Sequence, residues 1–244
     1  MAPVVLVTGG AKGIGRGISE TFLARGATVI ACGREAPSLR PQAGGREAEF
    51  VTCDVRDRAA VDALFAEVKE RHGRLDVLVN NAGGAPLAQA DKASPRFHQA
   101  IVELNLLAPL HCAQKGNALM QAQGGGGTIV FIASVSALRA SPGTAAYGAA
   151  KAGIVALTAS LAVEWAPKVR VVCVSPGLVR TEHSAQHFDP SAARTIPAGR
   201  LGEPSDVGEA CAWLASPAAA YASGTNLVLQ GGGEIPAFLL AKGK

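Results

Sequence analysis

Short apolar runs alternate with stretches of helical spacing along the whole chain. The runs are VVLV (4–7), TVIAC (28–32), EFVTCDV (49–55), LDVLVN (75–80), TIVFIAS (128–134), VRVVCVS (169–175) and TNLVLQ (225–230). Between them, helical periodicity covers about 14–25, 58–73, a long region ending near 121, 145–165 and 205–215. The runs are short and largely without apolar–polar alternation, which predicts strands covered on both faces, as in a parallel sheet. Strand–helix–strand repetition then predicts a doubly wound α/β fold with helices front and back. Gly73 stands where a helix C-cap is needed. The most loop-like tract, SLRPQAGGRE (38–47), is too short to divide the chain, so residues 1–244 are read as one domain.

Composition narrows the class. The 244 residues suffice for one well-covered core. A net charge of +4 without any lysine- or arginine-rich run argues against a nucleic-acid partner. The five cysteines, at 32, 53, 112, 173 and 211, are odd in number, widely spaced and free of any C-x-x-C. Buried thiols in a reducing compartment are the simplest account. The start, MAPVVLVTGG, enters a strand directly and has no charged leader pattern. No apolar stretch is read as long enough to span a bilayer. The expectation is a cytoplasmic protein without a membrane partner.

Candidate chemistry begins at VLVTGGAKGIGRG (5–17), a glycine-rich turn between a strand and a helix. Gly9, Gly13 and Gly15 allow a tight turn, a close backbone approach to a pyrophosphate, and a helix packed near the sheet. The helix N-terminus offers unpaired N–H groups and partial positive charge to a phosphate. The second strand ends in ACGRE, so Gly33 stands where a ribose-binding carboxylate would be. Arg34 follows it, Lys12 lies in the glycine loop, and Arg16 is a third cation nearby. Cations without an acid favour a 2′-phosphate, hence NADP(H) over NAD(H).

AAYGAAKAG (145–153) puts Tyr147 and Lys151 four residues apart, on one face of a helix. Spacing alone allows a packing pair, or an acid with a cation beside it to lower its proton affinity. His183 and His187 are also four apart, but no third ligand pattern accompanies them, so no metal site is expected.

TGGAKGIG (8–15), NNAG (80–83), Ser134, YGAAK (147–151) and SPG (175–177) follow one another as in the short-chain dehydrogenases/reductases, and the chain resembles that family over its whole length. The resemblance implies a single Rossmann-type domain with a seven-stranded parallel sheet, assembled as a homotetramer or dimer. It implies an acid/base role for Tyr147, Lys151 as its tuner, Ser134 as hydrogen-bond donor to the substrate oxygen, and Asn105 as holder of a water beside Lys151. Gly9, Lys12, Gly13, Ile14, Gly15, Arg34, Asp54, Val55, Asn81, Ala82 and Gly83 would hold the adenosine and phosphate end of the cofactor. Pro176, Gly177, Val179 and Thr181 would cover the nicotinamide, with Tyr147 and Lys151 also touching the cofactor. The implied activity is NADP(H)-dependent oxidoreduction of a carbonyl/alcohol small molecule. The alternatives are a 3-oxoacyl-carrier-protein reductase and, more remotely, a non-catalytic NADP(H) sensor. A short lid over about 178–200, with Phe188 and Ile196, suggests a modest apolar or acyl substrate.

Overall fold

A computed structural model describes residues 2–182 and 190–236. The main sheet contains β1 (Val4–Thr8), β2 (Thr28–Gly33), β5 (Glu49–Thr52), β6 (Val77–Asn80), β7 (Gly127–Ile132), β8 (Val169–Pro176) and β9 (Asn226–Leu229). Its order is β5-β2-β1-β6-β7-β8-β9, and every pairing is parallel. From β1 the chain first winds toward β5, then returns to β6 and winds the other way. The crevice at that reversal lies over the C-terminal ends of β1 and β6, where a doubly wound sheet places its ligand.

Alternate residues of each strand serve opposite faces. Leu6, Ile30, Leu78, Ile129 and Val171 pack under α2 (Arg58–His72), α4 (Ala108–Ala122) and α5 (Ala145–Trp165). Val5, Val7, Val29, Val79 and Val172 pack under α1 (Gly13–Ala24) and α6 (Pro204–Ala215). The central strands are therefore buried on both faces, as their unbroken apolar runs require. Asp57 caps α2 by accepting from the N–H groups of Ala59 and Ala60, and Gly73 ends it at φ +68°.

Three local features differ from the sequence reading. The tract 38–47 contains a hairpin, β3 (Gln42–Ala43) with β4 (Arg46–Glu47), turned by Gly44 and Gly45 at φ +59° and +71°. Two-residue strands carry no periodicity from which to predict them. The long helical region divides into α3 (Pro95–Val102), a π turn at Glu103–Leu107, and α4. Finally, α5 is long and apolar enough, by length and composition, to cross a membrane, contrary to the sequence expectation. Its apolar character serves packing here: Ile154 and Leu161 belong to the core, and Lys151 within it is buried.

Helices α1 and α6 cross at glycines. A Cβ on Gly17 would lie 2.4 Å from Pro204 Cβ, and one on Gly208 would lie 2.2 Å from Thr21 Oγ1. Gly17→Ala therefore forces the helices apart. Its overpacking cost of about 1–3 kcal/mol outweighs the roughly 1 kcal/mol that alanine gains in helix propensity. Urea denaturation is expected to show a net loss of stability; a variant as stable as wild type would mean that the crossing is not close-packed.

Candidate active site

The crevice is a cleft of about 1050 Å3. The glycine loop forms its floor at one end, with Gly9, Lys12, Gly13, Ile14 and Gly15 all on its surface. Gly15 has no room for a side chain, because a Cβ there would stand 2.1 Å from the Gly9 carbonyl oxygen and 2.5 Å from Asn81 Nδ2. Gly13, at φ +51°, has only the Thr181 side chain within 4 Å of a Cβ position, so its backbone lies open to the cleft. Asn81 clamps this floor to β1: its Nδ2 donates to the carbonyls of Thr8 and Gly9, and its N–H donates to Thr8 Oγ1. Ala82 and Gly83 continue the wall.

The α1 N-terminus already holds an anion. Glu182 Oε1 accepts from the Gly13 N–H at 3.0 Å, and Glu182 itself lines the cleft. An open backbone, a helix N-terminus and an internal carboxylate seated on it fit a phosphate-bearing cofactor. Pro176, Gly177, Val179 and Thr181 form the wall over the middle of the cleft. Arg16 also lines it, with Nε on Glu20 at 2.8 Å and a guanidinium N–H on the Leu39 carbonyl at 3.2 Å.

Ser134, Tyr147 and Lys151 meet at the centre. Ser134 follows β7 in extended conformation, and its Oγ accepts from the Ser136 N–H at 3.1 Å. Tyr147 stands in the first turn of α5, and Lys151 stands one turn later. Desolvation raises the Tyr147 phenol above its ordinary value, and a hydrogen bond with Ser134 opposes that rise. Lys151 is 4% exposed. Its Nζ donates to the Ile132 carbonyl at 2.8 Å and lies 5.6 Å from the Tyr147 ring centroid. Burial lowers its pKa from an ordinary 10.5 to about 8. Burial thus shifts the two groups in opposite senses, the ammonium down and the phenol up.

Four expected residues lie outside the cleft lining. Asn105 is buried in the π turn, and its Nδ2 donates to the carbonyls of Gly84 and Ile101, both at 2.9 Å. Its Oδ1 accepts from the Gly84 N–H at 2.9 Å. One amide hydrogen thus fixes the loop after β6 and the other holds the end of α3. Arg34 is exposed at the end of β2. Asp54 lies beyond β5, held by the Arg56 guanidinium and N–H, and its pKa is lowered by Arg56 with a smaller contribution from Arg34. Val55 beside it is buried.

Ser136, Ser141, Thr144 and Glu182 belong to the cleft and were not singled out from the sequence; only the folding of two loops onto Ser134 reveals them. Ile196, expected to face substrate, is 5% exposed and borders a second, smaller cavity behind the lid segment. His183, His187 and Phe188 lie outside the described residues.

These features define a dinucleotide-dependent oxidoreductase fold, and the chain belongs to the short-chain dehydrogenase/reductase family. A family model described as enoyl-(acyl carrier protein) reductase matches residues 9–234. The chain is 38% identical over 248 residues to oxidoreductase UcpA of Salmonella typhimurium, covering 95% of this chain and 94% of that one. It is 38% identical over 240 residues to D-threitol dehydrogenase of Mycolicibacterium smegmatis, covering 94% and 92%. The ligand-free structure of Thermoplasma acidophilum aldohexose dehydrogenase superposes with a TM-score of 0.87 at 29% identity, covering 95% of this chain and 93% of that one.

The depressed Lys151 has a consequence for stability. Between pH 8 and 10.5 the unfolded chain keeps a proton that the folded chain has released, so the cost of burying the charge is relieved as pH rises. Below pH 8 both states are protonated and that cost is constant. The unfolding free energy of Lys151→Met minus that of wild type is therefore expected to fall by roughly 3 kcal/mol across the window. Urea titrations at a series of pH values measure it, and a flat difference would contradict a depressed Lys151.

Proposed function

We propose that the chain is an NADP(H)-dependent oxidoreductase that interconverts a carbonyl and an alcohol, with Ser134, Tyr147 and Lys151 as its catalytic residues. The observation that carries this reading is the convergence of a buried lysine, a tyrosine and a serine in one cleft whose other end holds a carboxylate on a helix N-terminus. A bound nicotinamide supplies or accepts the hydride. Tyr147 gives the proton to the substrate oxygen during reduction and takes it back during oxidation. Ser134 holds that oxygen and steadies its developing negative charge. Lys151, with a pKa of about 8, is close enough to neutral pH to exchange a proton with little penalty. Asn105 acts as a positioning residue, setting Gly84 and the loop that leads from Gly83 past the lysine.

Lys12 on the cleft floor and Arg34 at the end of β2 support NADP(H) over NAD(H). Asp54 and Val55 lie one strand further and would border the adenine. Arg139 at the cleft faces Glu234, Arg180 faces Glu203, and Arg200 faces Asp206 beside the second cavity. Exposed Leu107, Val163 and Trp213 support assembly as a tetramer or dimer.

The test is fluorescence titration with NADPH and with NADH, together with a carbonyl panel that includes a 3-oxoacyl thioester. Tight NADPH binding with turnover is expected; failure to bind either cofactor overturns the reading. Tyr147→Phe should keep cofactor binding and lose turnover by at least ~100-fold, the scale of a general acid. A variant that binds and still turns over would remove Tyr147 from the proton path. Arg34→Ala should weaken NADPH binding about tenfold, or ~1.4 kcal/mol, while NADH binding changes less than twofold. Equal effects on both cofactors would remove the 2′-phosphate contact.

A further inference from the structure

Beyond Ser134, on the side of the cleft away from Lys12, three hydroxyls stand in a row. Thr144 Oγ1 and Ser141 Oγ are 2.6 Å apart, and Ser141 Oγ donates to Ser136 Oγ at 3.0 Å. All three residues line the same cleft as Tyr147. The row ends beside the reacting groups, because the Ser136 N–H donates to Ser134 Oγ.

Each hydroxyl has one hydrogen to give. Ser141 directs its own to Ser136. Thr144 directs its own to Ser141, at Oγ or at the carbonyl oxygen 3.3 Å away. Ser136 accepts from Ser141 and keeps its own hydrogen for a group in the cleft. The row also departs from ordinary local structure. Thr144 occupies the N-cap position of α5, where a threonine hydroxyl normally accepts from the first helical N–H groups. It makes no such capping bond and joins the row instead.

The surrounding loops are held in place. The Ala88 N–H donates to the Gly143 carbonyl at 2.8 Å, which ties the loop after β6 to the loop before α5. Arg139, which lines the cleft, is paired with Glu234, so the outer rim is charged as well. A fixed donor beside the reacting oxygen suits a ligand with a second oxygen there. An apolar group in the same place would leave that donor unpaired, which is how a polar site rejects an analogue lacking a hydroxyl.

We propose that Ser136, backed by Ser141 and Thr144, selects substrates that carry a hydroxyl on the carbon adjacent to the reacting one: vicinal diols in oxidation, α-hydroxy ketones in reduction. This deepens the activity proposed above and rests on it, since the row has meaning only if Ser134 and Tyr147 hold the reacting oxygen. It also replaces the apolar or acyl substrate suggested by the sequence of the lid.

The test compares kcat/KM for butane-2,3-diol with butan-2-ol, and for cyclohexane-1,2-diol with cyclohexanol, using the full chain with saturating NADP+ or NAD+. Wild type should prefer the diol of each pair at least tenfold. Ser136→Ala should bring the diol-to-monoalcohol ratio close to one, and Ser136→Thr, which keeps the hydroxyl, should restore the preference. Ser141→Ala, which removes the donor behind Ser136, should give an intermediate ratio and serves if Ser136→Ala does not fold. A wild-type ratio near one, or a ratio unmoved by Ser136→Ala in a folded protein, overturns the inference. If the carbonyl panel is reduced while diols gain no advantage, the proposed activity stands and the selectivity falls. If cofactor binds and neither panel turns over, both fall.

Discussion

A single buried cation organises the centre of this molecule. Lys151 Nζ bonds the Ile132 carbonyl where β7 ends, so the helix that carries Tyr147 is pinned to the strand that leads into Ser134. The same ammonium dictates what can pass in front of it. A Cβ on Gly83 would stand 2.7 Å from Asn105 Oδ1 and 3.2 Å from Lys151 Nζ, so the chain there must be bare backbone. Asn105 then fixes the next residue, Gly84, by donating to its carbonyl and accepting from its N–H. The π turn that presents Asn105 is part of this arrangement, because its Nδ2 also occupies the Ile101 carbonyl within the helix. Burying an amine is unfavourable, and the downward shift of its pKa is the sign of that cost. The strain on Lys151 and the order around it have the same origin.

The opposite end of the cleft is governed by an anion requirement. The α1 N-terminus presents the Gly13 N–H, and Glu182 accepts from it. A phosphate arriving there would meet a carboxylate of like charge, so the two compete for one donor. Glu182 directly follows Thr181, which lines the same cleft, so the wall over the cleft and its phosphate end are mechanically linked. The two ends of the site thus have opposite logic, a cation stripped of water at the centre and an anion drawn onto a helix end.

Much of this was legible in the sequence, for reasons that differ by region. Central strands such as Val4–Thr8 are buried on both faces, and an apolar run of five residues states that directly. Ser134, Tyr147 and Lys151 were visible because helical spacing and motif order are local properties. The glycines at 9, 13 and 15 were visible because each answers a backbone constraint that only glycine meets. What was hidden depends on contacts between distant segments. Glu182 reaches Gly13 across 169 residues, and neither sequence context mentions the other. The serine row needs the loop after β7 to fold back upon itself. Ile196 looked like a substrate contact because it is apolar and lies in the lid, but apolarity does not say which cavity a residue borders, and here Ile196 is buried beside the second one.

Spacing puts Tyr147 and Lys151 on one face of α5, and burial acts on both side chains. A charge lowers a neighbouring phenol only where it is both near and ionised. The ammonium of Lys151 is directed at Ile132, and burial has brought its own pKa down to about 8. Tyr147 is left with desolvation, which holds its proton on, and one hydrogen bond from Ser134, which loosens it slightly. The same burial that orders the site thus moves the proton affinities of its two ionisable side chains in opposite directions, up for Tyr147 and down for Lys151.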